Sequence, residues 1–144
     1  MANDSGFSEA ELTAMKERAA ELRSQKGGNK KAKNLEALLE AIAALPEGDK
    51  QIAAAVHQIM TEAAPHLAPR LWYGMPAYAD DADVVVFLQL SSKFDTRYST
   101  LGFNGAAQLD DGDMWATHFA IPALTDVVRT RVAELVQKAV PPPS

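Results

Sequence analysis

The chain has 144 residues and a net charge of −5, with 47 % hydrophobic and 23 % charged residues; that is enough for one domain with its own core, and ill suited to a phosphate backbone. It contains no cysteine, which excludes disulfides, thiolate zinc sites and cysteine nucleophiles. No apolar run reaches the length of a membrane span, and the polar, acidic residues 1–11 lack the basic start and apolar middle of a secretory signal, so a cytoplasmic protein is expected.

Ser8 and Glu11 have the spacing of a capping box, with Phe7 and Leu12 placed as a hydrophobic staple. They predict a helix over 8–25 with Met15, Ala19 and Leu22 on its apolar stripe. Lys26, Lys30, Lys31 and Lys33 follow, interleaved with Gly27, Gly28 and Asn29. No aromatic residue stands among them for a base to stack on, so 26–33 reads as a solvated linker. Asn34 is placed to cap a second helix, whose stripe is Leu35, Leu38, Leu39, Ile42 and Leu45; Pro46 ends it. A third helix is predicted from Asp49 to Ala63 through Ile52, Val56, Ile59 and Met60.

The period then shortens. Residues 71–79 read as one edge or bulged strand, interrupted by Gly74 and Pro76. Residues 84–90 form a second strand, 98–104 a third and 115–121 a fourth, with polar turns at 80–83 and 91–96. A short helix is expected over 105–109. A last helix over 124–139 carries Val128, Val132, Leu135 and Val136 on one side, before a proline-rich tail. The expected fold is α+β in two layers: a largely antiparallel sheet of four or five strands, helices on one face, and an extra N-terminal helix. The expected division is a helix and linker over 1–33, a domain over 34–140 and a tail over 141–144.

Alternation assigns the sheet faces. Leu101, Phe103, Phe119 and Ile121 are core candidates, with Val84, Val86, Leu88 and Leu90 sharing one face of the second strand. The opposite face receives Tyr98, Thr100, Asn104 and His118, with Phe87 or Val86 according to register. Trp72, Gly74 and Tyr78 share a face of the first strand and are expected to border that surface. The second strand is apolar on both sides, so the second face needs at least a partial cover: the first helix, a ligand or another subunit.

The run Trp72-Tyr73-Gly74-Met75-Pro76-Ala77-Tyr78 resembles the signature of the YdhG-like family of domains of unknown function, and residues 35–139 follow that family's order of elements. The resemblance implies a secretion-chaperone-like fold and, from some relatives, a frataxin-like iron-chaperone role; it brings no catalytic residue. The chain departs from the family in its first helix and in residues 113–119, where many relatives carry a basic turn and strand.

Trp72, Tyr73 and Tyr78 are candidates for an aromatic pocket, which Gly74 would allow a ligand to approach closely. With Phe87, Tyr98, Thr100, Asn104 and His118 they make up the candidate binding residues. Asp80 and Asp81, with Asp83 beside them, and Asp110 and Asp111, with Asp113, offer oxygen ligands for iron, although Asp and Gly are also ordinary turn residues. His57, His66 and His118 show no metal-ligand spacing, and no nucleophile elbow, phosphate loop or dinucleotide motif is present. The chain therefore reads as a non-enzymatic module for a small molecule or a protein partner, without resident cofactor, nucleic acid or membrane. An iron chaperone is the alternative and an enzyme of unknown reaction the third reading; the oligomeric state is left open.

Overall fold

The computed structural model describes residues 8–24 and 30–142, with side chains omitted for 22–24. The elements are α1 (Glu9–Ser24), α2 (Lys30–Ala43), α3 (Glu47–Ala63), β1 (Ala68–Trp72), β2 (Met75–Ala79), β3 (Val84–Gln89), α4 (Ser91–Phe94), β4 (Ser99–Phe103), β5 (His118–Ile121) and α5 (Asp126–Ala139). The five strands form an antiparallel meander in the order β1-β2-β3-β4-β5. The fold is α+β, as expected. Among the described residues no helix is long and apolar enough to cross a membrane.

The core lies between the sheet and α2, α3 and α5. Leu38 and Ile42 come from α2, Ile52, Val56, Ile59 and Met60 from α3, and Val132 and Val136 from α5. They meet Val86, Leu88, Leu101, Phe103 and Ile121, with Phe119 packed at the margin, so the alternation read for the third and fourth strands holds. Helix ends follow local chemistry. The Glu11 N–H donates to Ser8 Oγ at 3.1 Å, as a capping box requires. Thr125 Oγ1 caps α5 by accepting from the Val128 N–H.

Several boundaries differ from the sequence expectation. α2 begins at Lys30, so Lys30, Lys31 and Lys33 are helical and Asn34 is interior. Lysine is a good helix former, so the exposed residues 30–33 extend α2 ahead of its apolar stripe. Phe7 and residues 25–29 lie outside the described residues. Residues 91–94 form the one-turn α4, whose N-terminus is held by Asp49: its Oδ2 accepts from the Ser92 N–H at 2.9 Å. Residues 105–109 are a turn rather than a helix, tied to α5 by the Gln108 N–H donating to the Ala139 carbonyl. β5 starts only at His118, leaving Trp115 outside the sheet.

The main revision concerns 71–79. This segment is not one strand: Tyr73 and Gly74, at φ 53° and 78°, form a two-residue turn between β1 and β2. Both positive angles mark the type I′ hairpin, whose twist suits the flanking strands. Trp72 then lies opposite Met75 and Leu71 opposite Pro76. β2 begins to pair with β3 only at Ala77, so the N–H that Pro76 lacks falls outside that ladder.

Candidate functional site

The hairpin changes which residues share a face. Counted along a single strand, Trp72 and Tyr78 have the same parity. Across a two-residue turn Trp72 pairs with Met75, three positions from Tyr78, and the parity inverts. Tyr78 therefore points into the helix-packed face and is 1 % exposed. Its hydroxyl lies 2.9 Å from His57 Nδ1 on α3. Burial raises the Tyr78 hydroxyl pKa above its ordinary value and lowers that of His57. The expectation that Tyr78 borders the second face is corrected accordingly. A bulge between Tyr78 and Ala79 likewise sets Val84 opposite Ala79. Val84 thus leaves the face of Val86 and Leu88, because a bulge shifts parity by one.

The second face carries Arg70, Trp72, Ala77, Phe87, Gly102 and His118 in register across the strands. Trp72, Phe87 and His118 form a row of edge-on rings, with centroids 5.4 and 5.6 Å apart. The Phe87 ring lies over Gly102, where any Cβ would collide with it. Thr100 is half-buried beside this row, paired with Ala120. His118 is exposed and its Nδ1 is 2.9 Å from Thr117 Oγ1. Tyr98 precedes β4 and is exposed under the Arg97 guanidinium. Register thus places Phe87 on this face and Val86 in the core.

α1 approaches the β1–β2 end of the same face with a polar stripe. Ala14 is buried and Glu17, Arg18 and Glu21 are half-buried, whereas Met15 is 46 % exposed. The Tyr73 and Gly74 N–H groups donate to Glu21 Oε1 and Oε2, each at 3.1 Å. Lys93 Nζ donates to Glu17 Oε1 at 2.7 Å. The Arg18 guanidinium lies 5.7 Å from the centre of the Tyr73 ring, and Tyr73 packs edge-on against Trp72. The expected stripe Met15–Ala19–Leu22 is corrected on its first two members, Ala19 also being exposed; the Leu22 side chain is outside the described set. Carboxylates face the sheet because the hairpin turn and Lys93 present donors there. Gly74 is needed at this spot, since a Cβ would meet Glu17 and Lys93.

Between α1, β1 and the loop after β4 lies a cleft of about 550 Å³. Arg18, Arg70, Trp72 and Asn104 line it, with Asp83 and Val84. Asn104 is fixed by donating from Nδ2 to the Val84 carbonyl at 3.0 Å. Arg18 Nη1 is 3.7 Å from Glu21 Oε1, too far for a hydrogen bond. Arg18 Nη1, Arg70 Nε and Arg70 Nη2 have no hydrogen-bond partner among the described residues although they are shielded from water. Burial first, and then the Arg18 charge, lowers the pKa of Arg70, while Glu21 opposes the shift. Burial raises the pKa of Glu21 against the two backbone N–H groups and Arg18.

Neither arginine was singled out by the sequence. Arg70 stood outside the segment read as strand, and Arg18 outside the apolar stripe predicted for the first helix. Recognising the hairpin would have put Arg70 and Trp72 on one face of β1. A depression of about 640 Å³ on α5 is lined by that helix alone and brings no distant groups together. Asp80 Oδ1 accepts from the Ala82 and Asp83 N–H groups at 2.9 and 2.7 Å, and these bonds lower the Asp80 pKa. Asp81, Asp110, Asp111 and Asp113 are exposed. Among the described residues no three His, Asp or Glu side chains gather where they could hold a metal ion. Comparison with protein-family models, curated proteins and solved structures gives no match.

Proposed function

We propose that this protein is a non-enzymatic binding module for a small molecule, and that its site is the cleft under α1 at the β1–β2 end of the second sheet face. One observation carries the reading: two arginines from elements far apart in sequence converge on a cleft beside Trp72, with guanidinium nitrogens that have no hydrogen-bond partner among the described residues. Buried polar groups left unpaired are costly, and such sites are places where a ligand supplies the missing partner. The volume lies within the range of small-molecule pockets, and Trp72 gives an otherwise mainly polar lining one aromatic wall. Kinship with YdhG-like domains is part of the same proposal and rests on the Trp72–Tyr78 motif.

The test is a screen of chemically diverse neutral and charged fragments, followed by NMR shift mapping. Binders should move the Trp72 indole and the amides of Asn104 and Gly105, and Trp72→Leu should weaken them while the amide spectrum stays folded. A screen whose hits all map elsewhere would reject the site.

A further inference from the structure

We infer that the ligand of this cleft is a small monoanionic carboxylate with a flat apolar body. The carboxylate sits between Arg18 and Arg70, and the body lies against Trp72. The inference rests on the reading of the cleft as a ligand site and adds the chemical class. A guanidinium presents N–H groups in a planar fork that matches a carboxylate, and here the unpartnered nitrogens are Arg18 Nη1, Arg70 Nε and Arg70 Nη2. Glu21 pairs with Arg18 only at ion-pair range, 3.7 Å from Nη1, beyond hydrogen-bond distance.

The charge present selects among anions. Glu21 lies next to the two guanidiniums and Asp83 lines the cleft, so two carboxylates already face two cations. One more negative charge is tolerated where the donors are unpaired. A phosphate dianion would leave a larger excess, in a chain whose net charge is already −5. Within a mainly polar lining, Trp72, Val84 and Ala106 supply the apolar surface, on which a small ring can rest. The three nitrogens are shielded from water, so entry requires the Arg18 side chain to turn aside on α1.

The experiment titrates the full-length, isotope-labelled protein with benzoate, benzamide and inorganic phosphate, reading the Trp72 indole and the Arg18 and Arg70 Nε–H signals. Benzoate is expected to saturate all three signals, with benzamide at least about tenfold weaker. Arg70→Gln and Arg18→Gln should each weaken benzoate by about tenfold or more, Arg70→Lys should lose less than Arg70→Gln, and Asp83→Asn should bind more tightly. Dispersed amide spectra of the variants confirm that they fold. If benzamide equals benzoate at Trp72 and the arginine variants bind unchanged, the cleft remains a site but the anion assignment is wrong. If phosphate displaces benzoate at equal concentration, the carboxylate class is overturned. If none of the probes moves the Trp72 indole, both the class and the site are rejected.

Discussion

Gly102 and Phe87 show how one missing methyl group organises the second sheet face. The Phe87 ring lies where a Cβ of Gly102 would project, and this brings the ring between Trp72 and His118. Gly102→Ala should therefore destabilise the fold by about 1–3 kcal/mol through overpacking, measured by urea unfolding, and should shift the His118 ring protons. On the opposite face, burial lowers the pKa of His57. The unfolded chain then takes up the proton before the folded one does. The stability held by neutral His57 is complete above the ordinary histidine value of 6.5 and declines as pH falls from there towards the folded pKa. Wild type should lose more stability than His57→Gln between pH 7.5 and pH 5, and an NMR titration should place the His57 midpoint below the ordinary histidine value. Equal losses in the two proteins would remove His57 from the pH dependence.

At the scale of elements, α1 differs from the other helices in how it is held. α2, α3 and α5 are held by apolar stripes that meet in the core. Among the described residues α1 contributes none to that cluster, and it is fastened by Glu21 on the Tyr73–Gly74 turn and by Glu17 on Lys93. Deleting residues 1–29 should leave a domain that still unfolds cooperatively, with Trp72 more exposed and its fluorescence shifted to the red in a Trp115→Phe background. A chain that loses its sharp transition on this deletion would place α1 in the folding core. Glu21→Ala should speed hydrogen exchange at the Tyr73 and Gly74 amides while leaving those of β3 and β4 slow. α4 is tied the other way, into α3: Asp49 is 9 % exposed and accepts from Ser92. Asp49→Ala should cost about 1–3 kcal/mol, because it removes charge-assisted bonds at a largely buried position.

For the whole molecule, the meander puts three helices on one face and the single polar helix on part of the other. The iron reading can be tested at this scale. Asp80 spends Oδ1 on two backbone N–H groups, the ordinary work of aspartate in a turn. An anaerobic calorimetric titration with ferrous iron is expected to be flat, and saturable heat lost in Asp80→Asn would reinstate the acidic turns as a site.

The sequence by itself determined the α+β class, the stripes of α3 and α5, Leu38 and Ile42 of the α2 stripe (Leu35 and Leu39 are exposed), the capping box at Ser8, and the core residues of β4 and β5. Each leaves a local periodic trace, because burial against one continuous core repeats with the 3.6 or 2-residue period of the backbone. It also pointed to Trp72, Phe87, Asn104 and His118 as residues of the second face. Only the tertiary structure decided the hairpin at Tyr73–Gly74, the position of Tyr78 and the meeting of Arg18 with Arg70. The turn has tyrosine where Asn-Gly or Asp-Gly would have announced it, and a two-residue turn inverts the face of every residue beyond it. The two arginines lie 52 positions apart. They are brought together by a helix that docks through charge, and charge-based docking leaves no hydrophobic period to read.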